Sequence, residues 1–311
     1  MCKFFDLGIN MKKPTFLLCG GCASGCSQLT AAMKQHPDIF LPTNHRPEPH
    51  FFYYSDEFAK GFRYYLDKYF QETGENKAIG ETSSSYMLGD DVPVRIAQYL
   101  PDIKLIFQIR NPIERAYAGY RATAFHGLET LSFDDALIHE SEREKKLTGR
   151  WKEVRPFAYI GRSLYAKKIL NFRKHFPDNQ ILILKSEDTR KNPQKSFERV
   201  FDFIEVDSKF KPVLPPSYTN RSVIDLDLQA TIRKKLGESF DQIIDAIEKE
   251  ANPFHYSKSP DDDHAIKILI NNLHSEVQPM SDFSRNFLIE KLRSDIIEVS
   301  KLVDFKVDDW L

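Results

Sequence analysis

Pro14-Thr15-Phe16-Leu17-Leu18-Cys19-Gly20-Gly21-Cys22-Ala23-Ser24-Gly25-Cys26-Ser27 is the stretch that decides the fold. A short apolar run of strand length passes straight into a turn of glycine, serine and cysteine. The following residues, Ser27 to His36, read as a helix with Leu29, Ala32 and Met33 on one face and Pro37 just beyond its end. Strand, glycine turn and helix form the opening unit of an α/β nucleotide fold. Gly20 and Gly25 have G-x4-G spacing with a hydroxyl residue close behind. Glycines let backbone approach an anion, and the helix head behind supplies N–H groups and a positive dipole end. A Walker A loop needs Lys where Cys26 stands, so ATPase or kinase chemistry is not indicated. Taken alone, the segment reads equally well as a turn that merely joins strand to helix.

Working outward, Lys77–Glu81 (KAIGE) reads as a second strand, Lys104–Ile109 (KLIFQI) as a buried one, and Gln180–Leu184 (QILIL) as another. Pro112 opens the helix after the KLIFQI strand, a place where proline is favoured. Ser132 and Asp135 make a capping-box pattern ahead of Ala136–Glu144. Ser163–His175 and Asn192–Ile204 complete the helical segments of this part. Strands alternating with helices predict a parallel sheet covered on both faces. Beyond about Val223 the chain turns to charged amphipathic helices, with Leu288, Leu292, Ile296, Val299 and Val303 on one stripe. Ser257–His264 (SKSPDDDH) reads as an exposed loop. The expected architecture is α/β, a P-loop-like parallel sheet flanked by helices, with C-terminal helical additions. It forms a single domain over residues 1–311, with a core at about 14–222 and a helical extension at about 223–311.

Bulk composition narrows the function. With 311 residues and 41% hydrophobic content the chain can build a sizeable core without disulfides. Lys plus Arg number 44 against 45 Asp plus Glu, a formal charge of -1, which argues against nucleic acid or an anionic membrane as the main partner. Met1–Lys13 lacks a signal-type apolar region, and no apolar run approaches the roughly 20 residues of a membrane helix, so a cytoplasmic location is expected. Cys19, Cys22 and Cys26 lie close together, yet no fourth ligand accompanies them. Reduced thiols and no metal are the expectation.

Four further segments join the glycine loop: Arg46-Pro47-Glu48-Pro49-His50-Phe51-Phe52, Gly80-Glu81-Thr82-Ser83-Ser84-Ser85-Tyr86, Arg110-Asn111-Pro112-Ile113-Glu114-Arg115-Ala116-Tyr117, and Ile181-Leu182-Ile183-Leu184 with Glu187-Asp188. In this order they resemble the 3′-phosphoadenosine-5′-phosphosulfate (PAPS) dependent sulfotransferase family, in its heparan-sulfate-type and bacterial branch. The family pattern runs as a phosphosulfate loop, K-E-P-H-F-F, G-E-x-S-P-x-Y, R-N-P-x-x-R-A-x-S and an I-L-V-L-x-x-E-D-L strand end. The resemblance implies sulfuryl transfer from PAPS, with PAP as product, to a hydroxyl or less readily an amine of a small-molecule or carbohydrate acceptor. It implies Glu48 as general base, taking the acceptor's proton. Gly21, Ser24, Gly25, Cys26 and Ser27 would receive the phosphosulfate, and Arg110 would grip the 3′-phosphate with its planar fork. Arg115 and Arg162 read as fold-stabilising partners and His50 as structural, while Glu81 is open between a place near the acceptor and a buried hydrogen-bonding role.

The chain departs from the family in several places. Ala23 stands where the family carries a loop Lys, Cys26 and Ser27 where it carries two Thr, Ala118 where a Ser helps hold the 3′-phosphate, and Pro47 where a Lys precedes the base. Each change weakens electrostatic stabilisation, often the largest catalytic contribution. The alternative is therefore a non-catalytic nucleotide- or glycan-binding protein on a degenerate sulfotransferase fold.

Overall fold

The computed structural model describes residues 12–42, 48–213, 221–274 and 276–311. Five parallel strands, β1 (Phe16–Leu18), β2 (Ile39–Phe40), β3 (Ala78–Thr82), β4 (Lys104–Ile109) and β5 (Ile181–Lys185), form one sheet in the order β2-β3-β1-β4-β5. Helices flank it, so the α/β class expected from the sequence holds. Phe16 of β1 lies opposite Gly80 of β3 on one side and Lys104 of β4 on the other. β1 is thus the middle strand, and its carboxyl end feeds the glycine loop. Ligands of open α/β sheets gather at such carboxyl ends, where strand order reverses.

By internal contact the chain clusters into two compact units, Met1–Arg110 with Lys167–Pro215, and Asn111–Ala166 with Pro216–Leu311. The first holds the whole sheet. Because side chains alternate along a strand, Phe16 and Leu18 of β1 share a face with Ile106 and Leu184. They pack there against Leu29, Ala32 and Met33 of helix α1 (Cys26–Met33) and against Phe197, Val200 and Phe201 of the helix Pro193–Phe203. Each fully buried large side chain in this cluster contributes roughly 1.5–3 kcal/mol. Another strand position is used by Phe107, whose ring meets Phe172 edge-on at 4.8 Å. A polar pin joins α1 to the sheet: the Thr30 hydroxyl, donating to the Cys26 carbonyl, lies 2.8 Å from the Thr82 hydroxyl.

The second unit is helical. Phe125, Ile232, Phe240, Ile243, Ile244, Ile266 and Leu269 build its core. The predicted stripe on the long helix Asp282–Ser300 is buried at Leu288, Leu292, Ile296 and Val299, with Val303 past the helix end. Arg115 is buried, donating from Nε to Ser163 Oγ at 2.7 Å and from Nη2 to the Tyr159 carbonyl at 2.6 Å. Arg162 donates to the Val154 carbonyl.

Three local expectations are corrected. The segment read as a loop at Ser257–His264 runs into a helix, Pro260–Asn271, because Ser259 Oγ accepts the Asp262 N–H, Pro260 fits the first turn, and Asp261, Asp262 and Asp263 suit its positive end. The single helix expected over Ser163–His175 is two, Tyr159–Ser163 and Ala166–Arg173. The break falls where the Asp295 carboxylate accepts the N–H groups of Tyr165 and Ala166 at 2.7 and 3.1 Å, capping the second helix from outside. The helix expected over Ala136–Glu144 is also two, Phe133–Ile138 and Glu140–Lys146, capped by Ser132.

Candidate active site

All the site residues read from the sequence lie in the first unit. After β1 the chain is held to β4 by Cys19 N–H on the Ile106 carbonyl at 2.7 Å and Gly21 N–H on the Gln108 carbonyl at 3.0 Å. Gly20 sits between these bonds. A methyl there would lie 2.4 Å from Cys26 Sγ and 3.0 Å from the Gln108 nitrogen, so a side chain fits only if both neighbours shift. Gly21 accepts the Ser24 N–H at 3.1 Å, and Gly25 takes φ 90°, where glycine is at ease, before α1 begins at Cys26. The Gly25 carbonyl receives the N–H groups of Gln28 and Leu29 at 3.2 and 3.3 Å. Cys26 and Ser27 open the helix, where N–H groups have no carbonyl one turn earlier to bind. Their direction and the helix dipole make this head of α1 suited to an anion. Ser24 N–H, in contrast, is taken up by the loop itself.

Gln108 is a site residue that the sequence reading missed. It is buried in β4, and its Nε2 donates to the Ser24 carbonyl at 2.8 Å, locking the turn across the sheet. Its Oε1 and the fully buried Ser24 Oγ make no hydrogen bond among the described residues. Two unmatched polar atoms beneath a glycine loop are what a loop built for a polar ligand leaves behind. The signal was available: Gln108 is the one uncharged polar residue inside the KLIFQI strand.

Arg110 follows the end of β4, half-buried, with Nη1 3.5 Å from the Ala23 carbonyl. Its guanidinium therefore borders the position where the family carries its loop lysine. Ala23 itself adopts φ 64°, an uncommon conformation for a residue with a side chain.

Glu48 is held from β3's end. One oxygen, Oε2, accepts both the Ser84 N–H at 2.7 Å and the Ser84 hydroxyl at 2.8 Å. The same oxygen lies 3.6 Å from His50 Nε2, and His50 Nδ1 is 2.7 Å from Ser85 Oγ. Burial pushes the Cys26 thiol up, and the Glu48 charge adds to that. Arg110 thus borders the loop at Ala23, while Glu48 is fixed at the end of β3, whose Ser83 N–H donates to the Leu18 carbonyl at 3.0 Å, just before the loop begins. Cys19, Cys22 and Cys26 are free thiols, with Cys19 and Cys26 buried. Glu81 is wholly buried, accepting from Tyr65, Tyr86 and Ser83. Of the two places open to it, this is the hydrogen-bonding one. Arg46 and Pro47 lie outside the described residues. Among the described residues no helix is long and apolar enough to cross a membrane.

Comparison with known proteins bears on the fold and the family. The sulfotransferase domain family matches residues 13–233. The heparan sulfate glucosamine 3-O-sulfotransferase 3B1 of Mus musculus is 28% identical over 202 residues, 65% of this chain and 48% of that protein. The bifunctional heparan sulfate N-deacetylase/N-sulfotransferase 4 of Mus musculus is 25% identical over 299 residues, 93% of this chain and 30% of that protein. The chain thus spans about half the length, or less, of these curated relatives. A crystal structure of a sulfotransferase from Alicyclobacillus acidocaldarius matches with a TM-score of 0.68 at 20% identity, covering 96% of this chain and 99% of that one, which is a likeness of fold. Glycine loop, strand order and the extent of the family match converge: this chain belongs to the sulfotransferase domain family.

Proposed function

We propose that the chain transfers a sulfuryl group from PAPS to a hydroxyl of a carbohydrate acceptor. The observation that supports this reading is the Glu48 carboxylate, held by Ser84 at the end of β3, next to the end of β1 from which the glycine loop leaves. PAPS supplies an activated sulfuryl group. The loop residues Gly21, Ser24, Gly25, Cys26 and Ser27 hold its phosphosulfate, chiefly through the N–H groups at the head of α1, and Arg110 holds the 3′-phosphate. Glu48 takes the proton of the acceptor hydroxyl as its oxygen bonds to sulfur and the bond from sulfur to the leaving phosphate breaks. The names of the relatives, a heparan sulfate glucosamine 3-O-sulfotransferase and a heparan sulfate N-deacetylase/N-sulfotransferase, point to a sugar as acceptor.

Ala23 favours a second reading, a protein that binds the nucleotide without turnover, because the family's loop cation is missing. Calorimetry with PAPS, PAP and ATP, followed by transfer of labelled sulfate from PAPS to heparan sulfate, separates the two. PAP binding with transfer supports the enzyme; PAP binding without transfer to any acceptor supports the binder. Preference for ATP overturns both.

A further inference from the structure

The end of β3 grips the turn that carries Glu48 at several points. Ser84 holds the Glu48 carboxylate, Ser85 meets the His50 ring, Ser83 Oγ accepts the His50 N–H at 2.8 Å, and Tyr86 OH accepts the Phe52 N–H at 3.4 Å. Behind the last two stands Glu81. Its Oε2 accepts from Ser83 Oγ at 2.9 Å, and its Oε1 accepts from Tyr86 at 2.6 Å and Tyr65 at 3.1 Å. A hydroxyl has one proton. With that proton on Glu81, Ser83 and Tyr86 face the turn as acceptors, which is what the His50 and Phe52 N–H groups need. His50 meanwhile sits at φ 48°, a strained conformation for a non-glycine residue that persists only when its surroundings hold it.

We propose that Glu81 is a positioning residue for the transfer reaction: through Ser83 and Tyr86 it sets the Glu48–Phe52 turn, and so the direction in which Glu48 meets the acceptor. The inference rests on Glu48 as the base. Burial pushes Glu81 up to about 7, the nearby Glu48 adding to it, while the three hydroxyls pull the other way. The titratable groups facing it are Tyr65 and Tyr86, the Cys19 thiol after β1, and Glu48. A protonated Glu81 donates where it had accepted, and the two hydroxyls are no longer obliged to face the turn as acceptors. Activity therefore falls as pH drops through that midpoint.

Glu81→Gln keeps the shape and places an NH2 against one of the three donors. With labelled PAPS and heparan sulfate, kcat should fall about tenfold or more while PAP affinity stays within about twofold, and the fall in rate below about pH 7 should disappear. Ser83→Ala, a smaller change, should give a similar loss. The double variant should be no worse than either single one, because both break one chain of contacts. A readout independent of chemistry is the amide signal of Phe52, which donates to Tyr86, by nuclear magnetic resonance. It should shift with a midpoint near 7 in the wild type and lose that transition in Glu81→Gln. A Phe52 signal that ignores pH, or losses that add in the double variant, overturns the proposal. Normal turnover in Glu48→Gln instead overturns the reading of the base, whatever Phe52 does.

Discussion

Replacing Gly20 by alanine tests the packing of the loop at its tightest point. The added methyl would stand 2.4 Å from Cys26 Sγ, 3.0 Å from the Gln108 nitrogen and 3.1 Å from its carbonyl oxygen. The sulfur can turn, but the β4 backbone is fixed by bonds on either side of Gly20, Cys19 to Ile106 and Gly21 to Gln108. The loop must lift. Overpacking of this kind costs about 1–3 kcal/mol, and at about 2–4 °C per kcal/mol for a large domain the melting temperature should fall by roughly 2–12 °C. Lifting the loop also tilts the head of α1. Loss of one charge-assisted contact to the phosphate should weaken PAP by about 1.5–3 kcal/mol, roughly ten- to a hundredfold. Cys26→Ala removes the nearest obstacle, so in the double variant part of both losses should return, a coupling on the order of 1 kcal/mol. Thermal melts and PAP calorimetry on the four proteins of the cycle read all of this. A Gly20→Ala protein with wild-type melting and wild-type PAP affinity would refute the loop packing described here.

Four other outcomes are expected. Glu48→Gln should lower turnover about a hundredfold or more with PAP affinity unchanged, by initial rates and calorimetry. Arg110→Ala should weaken PAP by roughly 1.5–3 kcal/mol, and unchanged affinity in calorimetry would place the 3′-phosphate elsewhere. Ala23→Lys restores a cation where the leaving phosphate gains charge, so it should tighten PAPS by about tenfold and PAP by less, with transfer held or raised. Wild-type affinity for both would mean that position 23 does not face the phosphosulfate. The buried Glu81, raised from 4.5 to about 7, contributes stability fully present below its unfolded value and lost as pH rises through the folded one. That loss is on the order of 3 kcal/mol by pH 8, and urea melts from pH 5 to 8 should show a fall that Glu81→Gln flattens.

The legibility of this chain followed from how each element is buried. β4 and β5 could be read because strands covered on both faces keep nearly unbroken apolar runs. β2, only Ile39 and Phe40, is too short to show any period and escaped notice. Ser259-Pro260-Asp261 carried a full helix-start signature, yet its run of charges outweighed the cap. Within the site, the glycine spacing and the position of Arg110 after its strand were visible. The work of Gln108 was not, since its partner Ser24 is 84 residues away and only the pairing of β1 with β4 joins them. The grip of Tyr65 on Glu81 was hidden because it depends on how the helix Phe62–Tyr69 packs against β3.

β1 has only three residues, and both its neighbours come from far along the chain. Parallel pairings of that kind carry a high loop-closure cost and form late in folding. The glycine loop takes shape only once β1 is seated between β3 and β4, so an anion bound there recognises the assembled sheet alone. Such a ligand stabilises by mass action, about 2.7 kcal/mol at a hundred times its dissociation constant. Under the proposed function, nucleotide supply and persistence of the folded chain become one linked equilibrium, and a molecule deprived of the proposed donor is also the one most exposed to proteolysis.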